Sequence, residues 1–466
     1  MATFHFIGVA GVAMATLAAM LKARGHAVQG SDHGIYPPMS DFLEREGIRT
    51  FDGYRVEHLV PEVQTVIVGN AISRGNPELE AVLDRKIRYQ SLPEALREHF
   101  LWSSRSLVIA GTHGKTTTTA LAGWLLMAAG QDPSVLVGGV AANFGGSYRL
   151  GSGRDFVIEG DEYDSAFFDK TAKFLKYLPD IAAVTNLEYD HADIYADMEA
   201  LRVAFRRLVT LIPRSGRLIL GADSPEALRL ARDAPCPVET FGLGPTADWR
   251  ATELTPHEQG VTFEVTRQRE RLGHVKSPLF GEHNVRNALA ALAVGAAAGL
   301  EFEVMVRGLA SFEGVKRRLE PRGVVRGVTV IDDFAHHPTA IFETVRALKA
   351  SYPDRRVWAV FEPRSATACR RVFQDDFVRA FAESGADQVV LASVFRTSLP
   401  DDERLSVEHV VRELVKEGTP ARTLPSVDAI VAAIAREARD GDVVVMMSNG
   451  AFGGIHDKLL AALARG

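Results

Sequence analysis

The segment that most restricts the fold is the run Ser106 to Ala110 followed by Gly111-Thr112-His113-Gly114-Lys115-Thr116. A short apolar run, a glycine turn and a periodic stretch reaching about Ala129 predict a strand, a loop and a helix. Such a junction aims backbone N–H groups at one point, and the helix N-terminus adds partial positive charge there. A phosphate is the expected occupant. Lys115 suits β- and γ-phosphates and the Thr116 hydroxyl suits Mg²⁺, with Thr117 to Thr119 extending the hydroxyl supply. The strict pattern G-x-x-x-x-G-K-S/T is not met, because its first Gly would fall on Ile109, so the loop is a shortened variant.

Strand-like and helix-like runs alternate along all 466 residues, which predicts parallel sheets covered by helices. A chain this long exceeds one ordinary core. The polar stretch Trp102 to Arg105 and the charged turn Gly314 to Arg318 are the expected junctions, giving units 1–104, 105–318 and 319–466. The first unit starts with strands at Thr3 to Val9 and Ala27 to Gly30 around a helix from Val12. The last contains strands at Val324 to Ile331, Arg356 to Phe361, Gln388 to Leu391 and Val443 to Met447. The fold class is therefore α/β with three domains.

Acidic side chains outnumber basic ones by 59 to 53, so no global positive field collects a nucleic acid. Cys236 and Cys369 are too far apart in sequence for a zinc spacing, which argues for a reducing compartment. Ala288 to Leu300 is the longest small-apolar run, 13 residues where a membrane helix needs about 20. No positive charge precedes the apolar start, so it does not read as a signal peptide. A cytoplasmic protein without membrane partners is expected, as a monomer or weak homo-oligomer.

Two acidic clusters follow strands in the central unit, Glu159-Gly160-Asp161-Glu162-Tyr163-Asp164 and Asn186 through Asp190 to His191 and Asp193. Open α/β sheets place ligands at the carboxyl ends of strands, and hard oxygens there suit Mg²⁺. Near the start, Gly8-Val9-Ala10-Gly11 resembles a dinucleotide turn, with Asp32 where a ribose-binding acid would sit. Ala10 replaces the middle Gly and alters the approach of a pyrophosphate. By itself this turn admits a nucleotide diphosphate, NAD or no ligand.

Together these motifs resemble the Mur ligase family, which builds bacterial peptidoglycan precursors. Three ordered segments carry the likeness: Gly111 to Thr117, Gly281-Glu282-His283-Asn284-Val285-Arg286-Asn287-Ala288, and Asp332-Asp333-Phe334-Ala335-His336-His337-Pro338. The resemblance implies a Rossmann-like N-terminal domain for a UDP-sugar, a P-loop ATP-binding central domain and a Rossmann-like C-terminal domain for a peptide. It also implies an ADP-forming amide ligase acting through an acyl phosphate. Ala71 to Pro77 fits the members that add to UDP-N-acetylmuramate. One branch attaches L-alanine; the other attaches the recovered tripeptide L-alanyl-γ-D-glutamyl-meso-diaminopimelate. Tyr36 to Ser40, Tyr163 to Lys170, Phe361 to Thr367 and Ser448 to His456 resemble the second branch. Several relatives carry a carbamylated lysine in the region matching Asp197 to Pro213, and this stretch has no Lys.

The resemblance implies these roles: Lys115 on the β/γ-phosphates; Thr116 and Glu159 on Mg²⁺; His191 on a second metal or the acyl phosphate. Gly111, Thr112, His113 and Gly114 complete the ATP loop. Asn284 and Asn287 face adenine, Phe334 packs on it, Asp333 binds ribose and Arg318 reaches the γ-phosphate. Gly8, Gly11, Ser31, Asp32 and Ser73 hold the UDP-sugar, and Arg364 takes a peptide carboxylate. Two other classes compete: an NAD-dependent dehydrogenase built on the first unit, and a non-catalytic nucleotide-responsive binding protein.

Overall fold

A computed structural model describes residues 1–190, 194–395 and 399–465. The first sheet has five parallel strands in the order Arg49–Asp52, Ala27–Asp32, Thr3–Ile7, Thr65–Val68 and Arg88–Ser91. The strand expected to reach Val9 stops at Ile7, because Gly8 turns to φ 89° and sends the chain into the helix Val12–Ala23. The carboxyl ends of Thr3–Ile7, Ala27–Asp32 and Thr65–Val68 share one edge.

The central sheet has ten strands. Parallel pairing runs from Ser134–Ala141 through Asp155–Glu159, Arg105–Ala110, Pro179–Val184, Arg217–Gly221 and Val238–Gly242 to Trp249–His257. The β-branched stretch around Val261 is one strand of an antiparallel meander, Gly260–Arg267 and Glu270–Ser277, that widens this sheet. The phosphate-loop strand is inside the sheet, and all of Leu107 to Ala110 is buried. One face packs on the helices Lys115–Ala128 and Glu282–Ala298. The other shares an apolar cluster with the first unit, where Phe100 meets Phe156 edge-on at 6.2 Å.

The third sheet has six strands in the order Glu320–Val325, Val328–Asp333, Val443–Met447, Val357–Phe361, Gln388–Ala392 and Ala421–Leu424. The single strand expected over Val324 to Ile331 is in fact a hairpin. Arg326 and Gly327, at φ 53° and 70°, make the two-residue turn whose twist suits antiparallel strands. Apolar runs flank the turn closely on both sides, Val324-Val325 and Val328 to Ile331, and only Arg326-Gly327 separates them, so the two strands read as one.

Among the described residues, no helix is long and apolar enough to cross a membrane. The third unit sits against the second through Thr339 on Glu188 at 2.8 Å, Thr367 on Asp190 at 2.8 Å and Arg355 on Glu258 at 2.7 Å.

Candidate active site at the junction of the second and third units

The loop after Ala110 is shaped by two glycines. At Gly111, φ 129°, a Cβ would stand 2.1 Å from Thr185 Oγ1; at Gly114, φ 82°, it would stand 2.2 Å from Asn287 Oδ1. Asn186 pins the loop, its backbone oxygen accepting from Thr112 N at 3.0 Å and its side chain from His113 N at 2.8 Å. Thr118 N bonds back to Gly114 O at 2.9 Å, so the amides just ahead of it, at the helix start, have no intrahelical acceptor. Amides gathered in this way suit an anion, and Thr112 and His113 are tied by Asn186 in the loop that presents them.

Lys115 Nζ lies 3.0 Å from Glu162 Oε1 and also donates to Gly111 O at 2.6 Å. Burial pulls its pKa down, but Glu162, Glu159 and Asp161 outweigh burial and hold it above the ordinary lysine value. Thr116 Oγ1 donates to Glu159 Oε1 at 3.0 Å, and Gly138 N donates to Glu159 Oε2 at 2.7 Å. Burial pushes the Glu159 carboxyl up against the opposing charge of Lys115. A Cβ on Gly138 would stand 2.8 Å from Glu159 Oε2, and one on Gly139 3.1 Å from Thr116 Cγ2. Two adjacent hard oxygens in a pocket kept open by glycine fit Mg²⁺, which retains waters and substrate oxygens in its shell. His191, the other expected ligand, lies outside the described residues.

A cavity of about 1200 Å³ extends from this loop to the third unit. Asn284 and Asn287 form one wall, linked to each other at 3.0 Å. Arg318 bridges the units, its Nη2 3.4 Å from Thr116 Oγ1. Arg317 and Arg318 both pack on Phe334, each 5.0 Å from the ring centre. Asp333 is buried on the cavity wall, and its carboxylate already accepts from Leu319 N at 2.7 Å and Ala335 N at 2.8 Å. It braces the hinge, and a ribose hydroxyl would share these oxygens.

Two expected positions differ in the structure. Ser31 points inward, fully buried, with its hydroxyl on the buried Glu78 that also meets His5 at 3.1 Å and His58 at 2.6 Å. Its side chain supports the sheet edge from inside the unit. Arg364 is beside the main cavity, stacked 3.8 Å from the centre of the Phe395 ring, whereas Ser365, Ala366, Thr367 and Asn449 line the cavity itself. In the first unit, Asp32 braces the glycine turn by accepting from Ala10 N at 2.8 Å, and Gly8, Gly11 and Ser73 follow the same sheet edge. Gly138 and Thr339 carry no local sequence signal, and only the fold brings them to the site; Thr367 ends a segment that carried the resemblance but had no assigned role.

The fold and this cavity define a nucleotide-dependent enzyme of three α/β units whose last unit covers the phosphate loop. The chain belongs to the Mur ligase family: the family's catalytic domain matches residues 3–101, the Mur ligase middle domain 109–295, and the glutamate ligase domain 317–450. It is 41% identical over 462 residues, 99% of this chain and 98% of the relative, to the UDP-N-acetylmuramate–L-alanyl-γ-D-glutamyl-meso-2,6-diaminoheptandioate ligase of Escherichia coli K12. It is 32% identical to the UDP-N-acetylmuramate–L-alanine ligase of Acetivibrio thermocellus, covering 96% of this chain and 93% of that one. The crystal structure of a murein peptide ligase from Psychrobacter arcticus superposes with a TM-score of 0.72 at 36% identity, covering 100% of this chain and 99% of that chain.

Proposed function

We propose that this chain is an ATP-driven, ADP-forming ligase that joins UDP-N-acetylmuramate to the recycled tripeptide L-alanyl-γ-D-glutamyl-meso-diaminopimelate. The choice of nucleophile is carried by the whole-length identity of 41% to the tripeptide-adding relative, against 32% to an alanine-adding one. The three units take separate tasks: 1–104 binds the UDP-sugar through Gly8, Gly11, Asp32 and Ser73, 105–318 binds ATP, and 319–466 brings the peptide. A reaction that consumes ATP and a UDP-sugar belongs in the cytoplasm.

The lactyl carboxylate attacks the γ-phosphorus of ATP; the P–O bond to ADP breaks and an acyl phosphate forms. The peptide amine then attacks the acyl carbon and phosphate leaves. Phosphoryl transfer needs positioning and charge compensation more than covalent help. Lys115 neutralises the β/γ oxygens, the helix-start amides cradle them, and Arg318 approaches the γ-phosphate from the hinge. Thr116 and Glu159 would hold Mg²⁺, which supplies further charge compensation at the phosphates when bound. Asn284, Asn287 and Phe334 face the adenine, and Asp333 the ribose.

Phosphate release with UDP-N-acetylmuramate, ATP and Mg²⁺ tests the reading. The tripeptide is expected to raise release well above that seen with L-alanine. Turnover with alanine alone would reassign the chain to the alanine-adding branch, and no turnover with either would reject ligation.

A further inference from the structure

Most carboxylates facing the central cavity have a cation or a pair of fixed donors. Asp161 meets Lys173 at 2.6 Å, Glu162 meets Lys115 at 3.0 Å, Asp223 meets Arg286 at 2.8 Å and Glu226 meets Arg202 at 2.6 Å. Glu159 has the Gly138 amide and the Thr116 hydroxyl, and Asp333 the two backbone amides already described. Glu188 is different. Its side-chain partners among the described residues are the Thr339 hydroxyl at 2.8 Å and the His113 imidazole at 3.4 Å, with no Lys or Arg. Its backbone is fixed to the phosphate loop, Glu188 N donating to Thr112 Oγ1 at 2.9 Å. Although burial opposes ionisation, His113 and Thr339 hold this carboxyl well below the usual glutamate range. It is a fixed anion beside the loop, and its side chain is 39% exposed.

Against it stands His337, buried to 7% exposure. The ligand atoms of His113, Glu188 and His337 all lie within 4.8 Å of one another. His337 caps the helix Pro338–Ser351 by accepting from Thr339 N at its Nδ1, at 3.3 Å. Burial, with the neighbouring His113, pulls its pKa down to about 4, so the ring is neutral and its hydrogen sits on Nε2. With Nδ1 committed to the cap and Nε2 protonated, the ring has no lone pair left for a metal. Nε2–H is a buried donor without a hydrogen-bond partner among the described residues. A negative oxygen and an N–H donor side by side match an ammonium group and the carbonyl oxygen next to it.

Glu188, His337 and Thr339 also line a second cleft of about 400 Å³, walled by Phe342, Phe373 and Arg379. The three residues thus form the threshold between that cleft and the reaction cavity. We infer that Glu188 receives the ammonium group of the incoming peptide and the His337 N–H its first carbonyl oxygen, with the remainder of the peptide lying toward the second cleft. This rests on the ligase reading above. His113 belongs to the phosphate loop, so an amine held at Glu188 stands next to the transferred phosphoryl group.

The test compares two nucleophiles on the full chain with UDP-N-acetylmuramate, ATP and Mg²⁺: the tripeptide, read by phosphate release, and hydroxylamine, uncharged at neutral pH and read as hydroxamate. In Glu188→Gln the ratio of peptide to hydroxylamine kcat/KM is expected to fall about 10- to 100-fold, the worth of one charge-assisted hydrogen bond. Glu188→Asp, which keeps the charge, restores much of the ratio. Thr339→Val, which removes the hydroxyl orienting the carboxylate, lowers it by a smaller factor. Equal losses with both nucleophiles would make Glu188 a loop support and overturn the inference, as would a ratio unmoved in every variant. Failure of the unaltered protein to give either product would instead reject the ligase reading.

Discussion

Lys115→Ala is expected to lower ADP formation by about a thousandfold or more, the scale of losing a main electrostatic contact in phosphoryl transfer. UDP-sugar affinity, measured by calorimetry, should stay within about twofold, because the proposed assignment places the uridine diphosphate on the first sheet, away from Lys115 on the second. Lys115 is placed by the helix start and held by Glu162 at 3.0 Å, within the charge of Glu159 and Asp161. Its pKa is raised in the fold, so the pairing with Glu162 is fully present below the ordinary lysine pKa of about 10.4 and is lost only as pH rises through the higher folded value. Phosphate binding should therefore show no pH dependence from Lys115 near neutrality. Truncation removes Lys115 from the buried Glu162, and losing one member of a buried ion pair is destabilising in general. Unfolding of the variant must be followed alongside activity. Loss of both ADP formation and UDP-sugar binding in a folded variant would contradict the assignment of the two ligands to separate units.

The phosphate loop was readable in the sequence because its signals are local: an apolar run, two glycines and a Lys-Thr pair within a dozen residues. The alternation of strands and helices was readable for the same reason, as periodicity needs only neighbours. What escaped depends on contacts distant in the chain. The hairpin at Arg326-Gly327 looks like one strand because only two residues separate the apolar runs on either side of it. Ser31 resembles a ligand residue in its motif, yet Glu78, 47 positions away, turns it inward. Arg364 was legible as an anion-binding type, but not as stacked on Phe395 outside the main cavity. Glu188 read as part of an acidic run; its particular role depends on Thr339 and His337, which only domain packing delivers.

Arg318→Ala is the second large effect, expected as a loss of about a thousandfold in kcat with the ATP KM changed only a few-fold. Arg318 stands at the hinge between sheets, and Arg317 and Leu319 on either side adopt φ 60° and 50°. Its guanidinium packs 5.0 Å from the centre of Phe334 and reaches 3.4 Å from the Thr116 hydroxyl. Asp333, through Leu319 N at 2.7 Å, fixes the hinge just beyond it. In the proposed reaction an arginine held on Phe334 of the third unit would meet the phosphates when that unit lies against the second, so its charge would be added as the cavity closes. Arg318→Lys should recover little, because an ammonium lacks the planar fork and stacks poorly on Phe334. Single-turnover ADP formation at saturating ATP checks this. An unchanged kcat with a raised KM would show that Arg318 only helps ATP to bind, and a loss matched by Phe334→Ala would assign the effect to the ring that positions it.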